Sequence, residues 1–188
     1  MRLRLITAAS EWPVSLDEAK AQLRVDHTDD DTLIEAKIAA LADWLSVPPN
    51  GWLNRSLCTQ TIELALPRWP YGCIALPYGP AASIASVRYY DLDNAIQTVD
   101  SADYFLDGDE LVFVDGFFRP ATYVRPGALL IRYTAGVGDP AALPSGLREA
   151  FLVALTALYE HRGEMVSATM RDNQTAMSLF SSYRLWTA

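Results

Sequence analysis

An α+β fold is what this chain predicts: a mainly helical domain of two N-terminal helices, a central helix and a short C-terminal helix, with an inserted antiparallel β module. Three observations carry that expectation. The stretch 143–162, LPSGLREAFLVALTALYEHR, repeats apolar residues every 3.6 positions, and so does the stretch between Leu16 and Leu45. Between Leu57 and Tyr133 the period drops to two, with turn residues at short intervals. The expected organisation is one domain over residues 1–188, of which 57–135 form the β module.

Composition narrows the function classes. A chain of 188 residues with 51% apolar side chains can fill one core. Fifteen Lys and Arg against 23 Asp and Glu leave a net charge of -8. That balance argues against gripping nucleic acid over an extended surface, which needs clustered cations to displace phosphate counterions. MRLRLITAASEW has two arginines but no apolar run long enough for export, and Leu3 to Thr7 read as a short extended arm. Cys58 and Cys73 could pair, but without an export signal they are expected as reduced thiols.

The elements follow in order. Ser15 and Glu18 in SLDE form a capping box that opens a helix with Leu16, Ala19 and Leu23 on one face, ending near Val25. Asp29, Asp30 and Asp31 precede a second helix in which Ile34, Ile38, Leu41 and Leu45 share a face; three acids there complement the helix dipole, and one is expected to cap it. Pro48 and Pro49 stop that helix, and VPPNGWLN is expected as an exposed turn carrying Trp52. In the β module, Cys58, Gln60, Ile62, Leu64 and Leu66 fall on one face of a strand, and Leu129, Ile131 and Tyr133 on one face of another. Shorter strands are expected at 74–76, 84–90, 95–99 and 110–114, with reversals at Asp93-Asn94, Asp107-Gly108 and Asp115-Gly116. Prolines at 67, 70, 77, 80, 120 and 126 keep the strands short.

The central helix opens at Pro144, with Gly163 placed as its left-handed C-cap. Leu147, Ala150, Phe151, Ala154, Leu155, Leu158 and Tyr159 form its stripe; Leu152, Val153 and Ala157 extend the apolar surface, which predicts burial nearly all round. Arg148, Glu149 and Glu160 exclude it as a membrane span. Residues 165–171 read as a connection, and Asn173 to Ser182 as a last helix with Met177 and Phe180 inward. Leu185 and Trp186 then either fold back on the core or dock on a neighbouring chain.

The pattern points to no catalytic, cofactor-binding or metal-ligating set. His27 lies in an acidic turn and His161 in the last turn of a helix, where a cation suits the dipole. HExxH and CxxC are absent from the sequence. TAGVGDP contains GxG without the Lys and Ser or Thr of a phosphate loop, and reads as a bend toward the central helix. Asp100, Asp103, Asp107, Asp109, Glu110 and Asp115 lack calcium-loop spacing and read as a solvated hairpin edge or a surface facing a partner or a channel lumen.

Taken together, PVSLDEAKAQLRVD followed by DDDTLIEAKIAAL, then TQTIELAL, LPYGPAASIASVRYYD and TVD with Tyr104, then IRYTAGVGDP before LPSGLREAFLVALTALYEHR, and finally LFSSYR, resemble the head-tail connector (adaptor) proteins of tailed bacteriophages, prophages and gene transfer agents. The order and spacing of these pieces carry the resemblance, since each alone is common. VPPNGWLNRS departs from the family's simpler passage with a Gly-Arg pair.

The resemblance implies a structural protein, not an enzyme, that forms a ring of about twelve copies beneath the portal, extends the DNA channel and docks the next neck or tail (stopper) protein. It implies a virion location at the head-tail interface, with assembly in the bacterial host cytoplasm. DNA passes the channel without specific binding, which suits an acidic subunit because like charge prevents adhesion; no cofactor and no membrane are involved. Phe180, Tyr183, Arg184, Leu185 and Trp186 are the expected contacts to a portal or neighbouring subunit. Two rival readings are another type of neck or tail-completion module, and a small-molecule enzyme. The enzyme would bring His161 or the acids of 100–115 together in a cleft around a shifted titratable group.

Overall fold

The computed structural model describes residues 1–161 and 166–186. The described residues form five α-helices and two antiparallel sheets: α1 (Leu16–Leu23), α2 (Asp31–Ser46), α3 (Ser145–Glu160), α4 (Val166–Asp172) and α5 (Gln174–Ser181), with strands β1 (Arg2–Thr7), β2 (Gln60–Leu66), β3 (Ile74–Ala75), β4 (Ala81–Tyr90), β5 (Ile96–Thr98), β6 (Tyr104–Asp107), β7 (Glu110–Phe113) and β8 (Leu129–Ala135). The α+β class expected from the periodicities is the one observed.

α1 opens as its sequence dictates. The Ser15 N–H donates to Glu18 Oε2 at 2.9 Å and the Glu18 N–H to Ser15 Oγ at 3.2 Å, while Arg24 in the left-handed region closes the helix. α2 buries Ile34, Ile38, Leu41 and Leu45, but its start differs from expectation. Asp30, at the N-cap, makes no side-chain cap; its carboxylate accepts instead from the Tyr159 hydroxyl of α3 at 2.5 Å, and Asp31 pairs with Lys20 of α1 at 2.6 Å. Tertiary partners outcompete the local cap because they tie three helices together while the acids still face the dipole.

The Pro48-Pro49 stop holds, but the turn after it is not an exposed one. The Trp52 and Leu53 N–H groups donate back to the Trp44 and Leu45 carbonyls, Leu53 is fully buried, and the Trp52 ring stacks on Trp44 at 6.0 Å. Gly51 allows this approach: a Cβ there would lie 2.8 Å from backbone atoms at 46 and 47. α3 is buried through Leu147, Ala150, Phe151, Ala154, Leu155 and Leu158, whereas Leu152, Val153 and Ala157 are only half-buried. Its neighbours α1, α2, α4 and α5 leave that second face partly open. Residues 165–171 were expected as a connection; from Val166 on they belong to α4 (Val166–Asp172), which buries Met170 and Thr169. In α5 Ala176 and Phe180 are buried and Met177 is half-buried. Gly163 and Met165 lie outside the described residues.

The N-terminal arm is a full strand. β1 pairs with β2, Arg4 opposite Glu63, as one edge of a five-stranded sheet ordered β1-β2-β8-β4-β5. The second sheet is β3-β7-β6; its strand β6 was not expected, being four residues long with little apolar alternation to mark it. The two sheets share one core. Ile62, Leu64, Val87, Ile131 and Tyr133 from the larger meet Ile74, Leu76, Leu111 and half-buried Leu106 and Phe113 from the smaller. A separate apolar cluster joins the helices, centred on Phe151, Leu155, Ile38 and Phe180. The GxG segment joins the two bodies: Gly136 has φ +108 and a Cβ there would sit 2.1 Å from the Cys58 carbonyl oxygen, so the bend after β8 packs directly on the chain entering β2.

Candidate docking surfaces

The C-terminal segment turns back on its own core. Phe180 is completely buried, so truncating it removes core volume and costs roughly 3–5 kcal/mol; it is not available to a partner. Tyr183 covers Gly146 at the start of α3. The Leu185 N–H donates to the Leu53 carbonyl at 2.9 Å and Asn54 Nδ2 donates to the Leu185 carbonyl at 3.1 Å, which pins the backbone to the corner after α2. Arg184 lies between two indoles, its guanidinium carbon 4.6 Å from the centres of both Trp52 and Trp186. Trp186 keeps 75% of its surface exposed. Of the five expected contact residues, half-buried Tyr183, Arg184 and Leu185 and exposed Trp186 therefore remain as an accessible surface, joined by Trp52. Trp44 and Trp52 were not singled out for this surface by sequence reasoning; the Pro-Pro stop between two tryptophans eight residues apart was the one available signal.

A second surface is the outer face of the five-stranded sheet. Strand alternation sends Ile62 and Leu64 inward and Glu63 outward, where it is 6% exposed. Its carboxylate accepts from Arg4 at 3.1 Å, Arg88 at 3.3 Å and Arg132 at 2.9 Å, from three different strands. Register alone places them: Arg4 and Arg132 stand directly opposite Glu63 on either side. Nothing local in the sequence announces the cluster, because its members are up to 128 positions apart.

Two acids of the hairpin edge, Asp100 and Asp109, accept backbone N–H groups, and nearby Asp91 holds a local turn. Asp91 accepts from the Gln97 side chain and the Ala95 and Asp93 N–H groups, and these bonds hold its carboxyl below the usual range. Asp109 accepts from the Ala81 N–H at 2.6 Å, and Asp100 from that of Ala102 at 3.0 Å. Asp100, Asp103 and Asp115 do come together, lining an open cleft of about 450 Å³ with Tyr89 and Phe117. A larger cleft of about 980 Å³ lies between α1, α2 and the approach to α3, where Arg148 pairs with Glu18. His161 closes α3. Among the described residues no group of His, Cys, Asp and Glu is placed to hold a metal ion, and no helix is long and apolar enough to cross a membrane. Cys58 is buried, and burial, with Glu11 nearby, pushes its thiol up to about 11; Cys73 is exposed, and the two are unpaired.

Residues 13–80, from the approach to α1 through the corner after β3, match the family described as phage gp6-like head-tail connector protein. The whole fold is similar to solved chains from gene transfer agent particles. One, from "Neck of empty GTA particle computed with C6 symmetry", is 24% identical with a TM-score of 0.76; another, from "Neck of native GTA particle computed with C12 symmetry", is 24% identical with a TM-score of 0.67. A third, from "Virion of native gene transfer agent (GTA) particle", is 23% identical with a TM-score of 0.68. Each alignment covers 100% of this chain and 97% of the other. No curated protein sequence matches. The fold class is therefore one shared, end to end, with chains from gene transfer agent particles. The resemblance to head-tail connectors is matched by that family over residues 13–80, and over the full length the likeness to the particle chains is one of fold.

Proposed function

We propose that this protein is a connector subunit that forms a ring of about twelve copies beneath the portal, extends the DNA channel and offers the surface on which the next neck or tail protein docks. The observation that carries this reading is the end-to-end fold likeness to chains from particle necks computed with C6 and C12 symmetry, together with the connector family match at residues 13–80. A neck component acts by shape and surface rather than by turnover. The exposed Trp186 stacked on Arg184 supplies an anchor of the kind that dominates interfaces, an aromatic and an arginine side by side. It is the docking surface for the portal, and the net charge of -8 lets DNA slide past without adhesion.

The test is light scattering of the full chain with and without purified portal, followed by electron microscopy of the particle neck. A ring that appears on the portal supports the reading. Monomers that ignore the portal, or a neck lacking this chain, would overturn it.

A further inference from the structure

The two outer faces of the β module carry opposite charge. On the five-stranded sheet, Arg2, Arg4, Arg88 and Arg132 stand on the face away from the core, with three guanidiniums sharing the single carboxylate of Glu63. Arg2 is exposed, the Arg4 side chain is 69% exposed, and the Nε atoms of Arg88 and Arg132 are shielded yet find no hydrogen-bond partner among the described residues. This face therefore has donors and positive charge left over, in a chain whose net charge is -8. The three-stranded sheet packs on the other side of the same core, and sheets so stacked lie about 10 Å apart. Its outer side presents exposed Asp107 and Glu110, paired across β6 and β7, beside Phe105, which is 50% exposed. The neighbouring cleft adds Asp100, Asp103 and Asp115.

We infer that the arginine face of one copy seats on the carboxylate face of the next, so that the β modules stack head to tail around the ring. The inference rests on the ring reading above and names the surfaces that close it. A ring requires a heterologous contact between two different patches on opposite sides of one subunit, and a two-layer module with one cationic and one anionic side meets that need. Guanidiniums recognise carboxylates through paired, directional bonds, and the chain already sets arginines over aromatic rings at Arg125 on Tyr90 and Arg119 on Phe113. The aromatic wall of the acidic cleft offers the same footing to an incoming arginine. DNA is the poorer occupant, because the chain's overall charge of -8 repels a phosphate backbone.

The test uses full-length chains on purified portal at about 50 mM salt, where surface charges are weakly screened. Arg2→Glu with Arg4→Glu, and separately Asp107→Arg with Glu110→Arg, place like charges face to face. Each pair is expected to lower the ringed fraction in sedimentation at least about tenfold while thermal melting shows both variants folded. Mixing the two variants, or joining all four changes in one chain, restores the complementarity and is expected to restore rings. Wild type that rings together with variants that ring equally well overturns this inference and leaves the ring reading standing. Wild type that forms no ring overturns both. Loss of DNA retention in the arginine variant with rings intact assigns the face to DNA and also overturns it.

Discussion

Replacing Glu63 by Gln removes the charge that three arginines share, and the structure sets the size of the loss. The carboxylate is 6% exposed and accepts three bonds between 2.9 and 3.3 Å. A hydrogen bond to a charged group contributes about 1.5–3 kcal/mol when shielded, but the three side chains are 69%, 27% and 33% exposed and rehydrate once released. Arg4, the most exposed, contributes about 0–1 kcal/mol. Arg88 and Arg132 supply most of the remainder, and Gln retains one acceptor for them, so Glu63→Gln is expected to cost about 2 kcal/mol. For a chain of this length that lowers Tm by roughly 4–8 °C. Thermal unfolding at low salt measures it, and in about 1 M salt, where the Debye length is near 3 Å, the difference shrinks. Arg4→Ala in parallel is expected to change Tm by no more than about half as much. A Glu63→Gln protein melting within about 1 °C of wild type, or an Arg4→Ala protein equally damaged, would refute the reasoning.

Three further outcomes follow from named contacts. Gly136→Ala forces a Cβ into the Cys58 carbonyl at a φ of +108 and is expected to destabilise by at least about 3 kcal/mol, read from chemical denaturation. Trp186→Ala, at a 75% exposed position, is expected to change stability by less than about 0.5 kcal/mol while abolishing portal-dependent assembly, so melting and light scattering should part company. Because the Cys58 thiol is raised to about 11 from 9.0, the native state holds its proton where the unfolded chain has lost it; stability from this group is present below pH 9 and falls as pH rises toward 11. Cys58→Ala removes that part of the alkaline slope, and a maleimide at pH 8 is expected to label Cys73 at once and Cys58 only on unfolding.

How much of this was legible before the structure depended on the range of the interaction. The capping box at Ser15 and Glu18, the buried stripes of α2 and α3 and the left-handed Asn94, Gly108 and Gly116 reversals are short-range consequences of side-chain chemistry, and they were readable from a few neighbouring residues. The order of connector-like pieces was readable too, and the match over residues 13–80 follows it. Register and folding-back were not. Whether Leu3 to Thr7 is an arm or a strand depends on an edge supplied by β2 some 58 residues later, and the grouping of Arg4, Glu63, Arg88 and Arg132 exists only once that register is set. Likewise Phe180 and Trp186 looked alike as apolar residues near one end, and only packing against α3 and the corner at Leu53 buried one and left the other exposed. Sequence by itself determined the elements that carry a clear local period or cap; tertiary structure decided the weakly patterned β1, β6 and α4, and the surfaces, because a surface is made by residues that are neighbours in space and strangers in the chain.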